Sequence, residues 1–413
     1  MPRFFVLAAA VAALVWPAAA SPATFGEQRV LLMLTTWGPE PYAQVQIRGQ
    51  LDEAAAFVRS TSYGKTWITG DVTPWLHALG SRPACDTSAI AAAARSAARA
   101  AGYDLSSYTT LGVAMPRLDA CAWGGAYFPP GIWLNGRWDR QVIVHELGHT
   151  YGVSEEGSAW VCDPGCHAEP YLNPFSVMGH GLSDYGAWEK HQFGWLDRIA
   201  EPQARLSLAA IDRPATGAQA QALRVLAAGD EYWFEYRPPA PAWPYADDGS
   251  PGVAVHAGAN GLGEAGRFPG RNLLLYDPVR RGRTAIQAGE TFTARGAFSL
   301  RVESTGESAA DVAFRWTDRT RPARPRILAV RVRRGRLFVR WRRGVERGSG
   351  IAAHDVLVDG RRVARVLAER SVAGLLVANE DRLTARVGTG RHRVQVFAVD
   401  RAGNRSRPAV SRA

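Results

Sequence analysis

Past its first twenty residues the sequence has no apolar run of about 18 residues, the length a helix needs to cross a bilayer, so no permanent membrane helix is expected. It has no internal repeat at a fixed period, which excludes solenoids and propellers. No acidic loop carries EF-hand or RTX spacing, and no low-complexity tract exists beyond one alanine-rich stretch. Cysteine is scarce: Cys85, Cys121, Cys162 and Cys166 are the only four in 413 residues. They lack the paired-knuckle spacing of an all-cysteine zinc site. An even number of cysteines fits two disulfides in an oxidising compartment. Cys162 with Cys166 would staple a short loop and Cys85 with Cys121 would close a longer one, although spacing alone does not fix the pairing.

What is present is a chain with 46% hydrophobic and 21% charged residues, enough for a sizeable core and for two or three domains. Arg3, the apolar run 4–15, Trp16-Pro17 and Ala18-Ala19-Ala20 before Ser21 have the order of a secretory signal, so residues 1–20 are expected to be removed and the mature protein secreted. Little room then remains before the first strand for an inhibitory propeptide. The formal charge of +11 is uneven. Residues 319–413 hold 24 arginines against 7 acidic residues, whereas the first 318 hold 25 basic and 31 acidic groups. That split argues against one nucleic-acid-binding body and assigns the basic surface to a C-terminal appendage, whose expected use is an anionic surface or polymer as partner, or plain solubility.

Periodicity predicts an α/β beginning: a buried strand over 30–36, a helix over 42–59, and a strand over 63–72. An alanine-rich helix follows between Asp86 and Gly102, then strands at 108–115 and 132–135, then a helix starting near Trp138. From about 199 the texture turns to short alternating strands between Pro and Gly clusters, which predicts an antiparallel β module to residue 318. An Arg- and Pro-rich linker leads to a last segment, 327–413, of the size of one β-sandwich, with Trp341 as a core aromatic.

The chemistry concentrates in Gln141-Val-Ile-Val-His-Glu-Leu-Gly-His-Thr-Tyr-Gly-Val-Ser-Glu155. On a helix, His145 and His149 lie one turn apart on the same face and can bind one zinc ion. Glu146 is then placed to act as general base on a water activated by the metal, and to return the proton to the leaving amine. Gly152 can end the helix in a left-handed turn, which brings a third ligand, expected at Glu155, back towards the metal. Glu156 and His167 stand nearby as substitutes.

This extended motif, followed by Ser176-Val-Met178-Gly179, resembles the metzincin metallopeptidases, and more closely the gametolysin-like secreted peptidases. Cys121-Ala-Trp-Gly-Gly and Trp133-Leu-Asn-Gly136 before the helix, Asn173-Pro-Phe-Ser-Val-Met178 and the segment ending Phe193-Gly-Trp-Leu196 carry the likeness over residues 28–198. The resemblance implies a metzincin-like α/β (α+β) catalytic domain at 21–198, a β-rich domain at 199–318, and one catalytic Zn2+ held by His145, His149 and Glu155. It also implies Glu146 as base and Met178 in an apolar turn beneath the ligands. Glu155 departs from the family's usual third histidine, and its charge would alter water activation. His180, two residues after Met178, stands where some metzincins put a tyrosine, so a fourth-ligand or oxyanion-stabilising role is assigned to it. Trp133-Leu-Asn-Gly is a candidate strand for pairing with an extended peptide.

His256 sits in an alternating strand and reads as a satisfied residue. The segment 319–413 resembles fibronectin type III or bacterial immunoglobulin-like modules. Its arginines at 331, 333, 336, 340 and 342 lack an aromatic platform for reading nucleic acid. The expected function is that of a secreted zinc endopeptidase acting on protein substrates. The competing reading is a catalytically impaired metzincin-like scaffold that binds or adheres through its basic C-terminal sandwich.

Overall fold

In the computed structural model the described residues are 24–413 apart from 130, 163–164, 228, 248, 260–267, 269–271, 276–283, 295, 345, 347 and 369–379. The expected signal segment 1–20 therefore lies outside the described residues. Five sheets with a few helices make a multidomain, β-rich chain.

The first unit has strands β1 (Gly26–Leu34), β2 (Thr66–Val72), β3 (Thr110–Met115), β4 (Gly125–Phe128) and β5 (Gly131–Asn135) in the order β2-β1-β3-β5-β4. β1, β2, β3 and β5 are parallel, and β4 runs antiparallel along the outer edge. The near-continuous apolar run Val30–Leu34 suits a strand buried on both faces. One face packs under α1 (Gln44–Thr61) and α3 (Arg140–Thr150), with Phe57, Ile143 and Leu147 in that core. The other face packs under α2 (Thr87–Ala100) through Ile90, Ala94 and Ala98. Asp86 caps α2 by accepting from the Ala89 amide at 2.9 Å, as expected from the sequence. β2 starts three residues later than periodicity predicts, because Tyr63 takes a left-handed conformation (φ 58°) and sends its hydroxyl to the Ile211 carbonyl, 2.7 Å away.

A boundary at 198 does not separate the sheets. β6 (Ala159–Cys162) and β7 (Cys166–Glu169) form a hairpin that joins the seven-stranded sheet of the second unit, where β6 pairs with Leu273–Leu275. Trp233 of that sheet also enters the core of the first unit. Disulfides join Cys85 to Cys121 and Cys162 to Cys166, the pairing suggested by spacing, and they fit an oxidising compartment. No described helix is long and apolar enough to cross a membrane.

The last unit packs a three-stranded sheet against a four-stranded one around Leu337, Val339, Trp341, Val356, Val394 and Val396. Asn404 ties it to the preceding linker: its amide NH2 donates to the Asp318 carbonyl at 3.2 Å and to Asp400 at 2.9 Å.

Candidate metal centre

α3 begins at its cap Asp139, whose carboxylate accepts from the Val142 amide at 3.3 Å. Its helical spacing turns His145 and His149 to one side, with ring centroids 5.0 Å apart. Each ring is fixed from behind. Nδ1 of His145 lies 2.9 Å from the Val177 carbonyl, and Nδ1 of His149 lies 2.8 Å from the Val153 carbonyl. A carbonyl oxygen only accepts, so both Nδ1 atoms carry the hydrogen, and a neutral ring then presents a bare lone pair at Nε2.

Those two lone pairs face a carboxylate. Glu156 Oε2 lies 3.2 Å from His145 Nε2 and Oε1 lies 3.8 Å from His149 Nε2, yet Oε2 is buried without a hydrogen-bond partner. A proton on His145 Nε2 or a metal ion among these groups would turn the contacts attractive. Tetrahedral ligands at about 2.1 Å from a zinc ion stand about 3.4 Å from one another, close to the separations seen here. The residues present therefore fit a zinc ion held by His145, His149 and Glu156.

Glu155, expected as the third ligand, is not part of this cluster. Its Oε2 takes a hydrogen bond from the Ser154 hydroxyl at 2.9 Å at the surface. The one-residue difference is set by the backbone. After Gly152 turns the chain (φ 108°), the Gly157 amide donates to the Met178 carbonyl at 2.8 Å, and the residue before it is delivered over the imidazoles. A Cβ on Gly157 would lie 2.8 Å from the Met178 carbonyl carbon, so only glycine permits this approach. His167 is exposed on β7 and contacts Glu169 at 3.3 Å, away from the cluster.

Glu146 has a donor atom within 4.8 Å of both histidines. It is nevertheless better suited to be a base than a ligand, because Glu156 spans both rings with its two oxygens while Glu146 Oε1 presses against β4. A Cβ at Gly125 of β4 would overlap that oxygen, and Glu146 Oε2 is buried with no partner. Burial pushes the Glu146 carboxyl up to about 7. Burial pulls His149 below the usual imidazole range. His145 is also pulled down by burial, but the carboxylates of Glu156 and Glu146 outweigh this and leave it raised. Glu156 is pushed up by burial and lowered further by the two histidines, for a net fall.

Met178 is fully buried and its sulfur sits against Gly148, which lies between His145 and His149 in α3. Nδ1 of His180 bonds the Tyr171 carbonyl at 2.8 Å. Tyr171 itself was not singled out from the sequence. Its phenol bonds Glu156, its ring lies 6.1 Å from that of His145, and its φ of 62° is unusual for a bulky residue. A cleft of about 530 Å³ opens above the cluster, lined by Gly125, Tyr127, His145, Glu146, His149 and Tyr171.

Trp133-Leu-Asn-Gly does not offer an edge to a peptide. Its strand, β5, pairs with β3 on one side and β4 on the other. The free edge beside the cleft belongs to β4. Asn135 instead braces the preceding loop, exchanging hydrogen bonds with Leu118 at 2.7 and 3.1 Å.

Sequence reading also missed a buried polar network under the turn. The Ser176 hydroxyl accepts from the Met178 amide at 3.0 Å and donates to Glu189, which takes a further bond from Asn272 Nδ2 at 3.1 Å. Asp184 pairs with Lys190 at 2.8 Å, both almost wholly buried. His256 is fully buried, with Nε2 3.0 Å from the Asn173 side-chain nitrogen, but its Nδ1 has no hydrogen-bond partner, so the expected satisfied residue is satisfied at one ring nitrogen and not at the other.

No family model matches the chain, and no curated protein matches it. Parts of it resemble solved structures. One is the spore cortex lytic enzyme SleM of Clostridium perfringens, at 11% identity over 27% of this chain and 37% of that one, with a TM-score of 0.19. Another is the fibronectin(III)-like modules of CbhA from Clostridium thermocellum, at 19% identity over 21% of this chain and 91% of that one, TM-score 0.16. A third is domains d3–d4 of the rat CD45 extracellular region, at 10% identity over 31% of this chain and 65% of that one, TM-score 0.18. This chain thus spans little more than a third of SleM, and TM-scores this low carry no functional argument.

Proposed function

We propose that the chain is a secreted zinc-dependent endopeptidase of the metzincin kind that hydrolyses protein substrates. The observation that carries this reading is the approach of both imidazole Nε2 atoms to the Glu156 carboxylate, whose buried Oε2 has no hydrogen-bond partner, with a second carboxylate, Glu146, beside them. His145, His149 and Glu156 would hold the ion. When bound, zinc supplies a Lewis acid that brings the pKa of water down towards about 7.

The remaining work falls to the chain's own groups. Glu146 receives a proton at its free Oε2 and returns it to the departing amine. Tyr171 orients Glu156 through its phenol. The unpaired edge of β4 offers main-chain donors and acceptors to an extended peptide, a pairing that lays a scissile carbonyl beside Glu146. Gly125 keeps that edge close to the Glu146 carboxylate.

Elemental analysis of the purified protein together with a casein-cleavage assay tests the reading. About one zinc per chain is expected, with cleavage abolished by a chelator and restored by zinc. Glu146→Gln is expected to keep the zinc and lose at least about 100-fold in turnover. Zinc without any cleavage of casein or peptide libraries would favour the impaired scaffold, and undiminished turnover in Glu146→Gln would remove Glu146 from its role.

A further inference from the structure

The C-terminal unit has a feature that peptide hydrolysis does not use. Its three-stranded sheet consists of Arg326–Arg333, Arg336–Arg342 and Glu380–Arg386 in antiparallel register. Alternation along the central strand sends Leu337, Val339 and Trp341 into the core and Arg336, Phe338, Arg340 and Arg342 outwards. The register extends this outward face onto both neighbours. Arg336 lies between Arg333 and Arg386, and Arg340 lies opposite Arg382. Arg331 flanks Phe338, and Arg326 flanks Arg342.

Like charges directly opposite on neighbouring strands are destabilising, so this arrangement works against the sheet. Among the described residues one carboxylate, Glu380, serves the face, 3.8 Å from Arg340 and 3.6 Å from Arg342. Among the described residues the row Arg333, Arg336, Arg386 has no acidic partner. The opposite sheet is treated differently: Arg362, Arg365 and Arg405 all converge on Asp355, at 3.8 to 3.9 Å. Three cations beside the four-stranded sheet thus share a carboxylate, although Arg393 and Arg412 stand opposite each other there. The side chains that hold the sandwich together point the other way.

We propose that this face binds a linear acidic polysaccharide. The Cα positions that carry these arginines repeat about every 4.8 Å across strands and about 6.8 Å along them, over roughly 20 Å, which suits a chain of regularly spaced anions better than a single small anion. The planar fork of arginine matches carboxylate and sulfate oxygens two at a time. Phe338, 37% exposed in the middle of the arginines, offers an apolar surface to the C–H face of a sugar ring. One ring cannot stack the successive bases of a single-stranded nucleic acid, and the two disulfides fit a compartment where acidic glycans are the abundant polyanions.

The test uses the full chain with heparin as the probe, beside duplex DNA of equal charge and vesicles containing phosphatidylserine, at 0.15 M salt. Arg336→Thr, Arg340→Thr and Arg386→Thr are combined in one variant. A control removes three exposed arginines elsewhere, Arg59→Ser, Arg99→Ser and Arg301→Ser. The expected result is at least a tenfold loss of heparin affinity in the first variant and less than twofold in the control. Binding by the intact chain should be at least tenfold tighter to heparin than to DNA or vesicles. The melting temperature of the first variant should stay level or rise as repulsion is relieved, which separates lost binding from lost folding. Equal losses in both variants, or DNA or vesicles bound as tightly as heparin, would overturn the proposal.

Discussion

The sulfur of Met178 rests against the backbone of Gly148, in the space a side chain at position 148 would need. Tyr185 closes the same gap, with a ring carbon 3.1 Å from where that Cβ would stand, while its hydroxyl donates to the Val144 carbonyl at 2.6 Å. The turn of α3 between the two imidazoles is thus clamped from below by packing and by the Tyr185 hydrogen bond. Gly148→Ala is expected to destabilise the fold by about 1–3 kcal/mol through overpacking, although alanine is the better helix former. Met178→Leu should cost less, under about 1.5 kcal/mol, and change turnover less than stability. Urea unfolding of both variants checks the order; a Gly148→Ala protein as stable as the parent would mean that the floor yields freely.

Glu155 and Glu156 should differ sharply. Glu156→Gln is expected to weaken zinc binding by at least about 100-fold, beyond the range typical of an outer partner, whereas Glu155→Gln should change it less than threefold. Competition with a chromophoric chelator measures both. The reverse order would return the ligand role to Glu155.

Tyr171→Phe removes the phenol that bonds Glu156 and should lower zinc affinity by about tenfold, as loss of an outer-shell partner does. His180→Ala should have a smaller effect, because it leaves the Tyr171 phenol and its bond to Glu156 in place. If His180→Ala proves the more damaging, the histidine touches the ion directly.

Acid should act through His256. Burial holds its pKa down at about 4, while an unfolded imidazole titrates near ~6.5. Between these values the unfolded chain binds a proton that the native chain refuses. The stabilisation is therefore complete above pH 6.5 and is lost as pH falls towards 4, by about 3 kcal/mol. Glu189, pushed up to about 7 by burial, acts in the opposite direction: its native form keeps a proton that the unfolded chain releases above about 4.5. Comparing the parent with His256→Gln cancels that contribution. Denaturant unfolding between pH 8 and 4 should show a steeper acid loss in the parent, and parallel curves would exclude His256 as the acid-sensitive group.

Much of this site was legible because it is local. His145, Glu146 and His149 are related by one helical turn, and Asp86 announces its helix by a cap three residues long. The elements of the first unit begin and end near their expected positions for the same reason. The errors lie where distant segments decide. Whether residue 155 or 156 meets the imidazoles depends on Gly157 pairing with Met178, and no spacing within the motif encodes that. β5 looks like a substrate strand until β4 is seen to take its outer edge. Tyr171 carries no signal at all, since its placement follows from a left-handed turn and a bond to Glu156.

The polar network beneath the turn has a temporal consequence. Asn173 leans on His256, and Glu189 on Asn272, partners encoded some eighty residues downstream. A chain still being synthesised or threaded across a membrane would own both imidazoles long before it owned the supports of the platform beneath them. Hydrolytic competence of the proposed kind would then wait until about two thirds of the 413 residues are in place, an intrinsic delay that shields the earlier part of the nascent polypeptide from it.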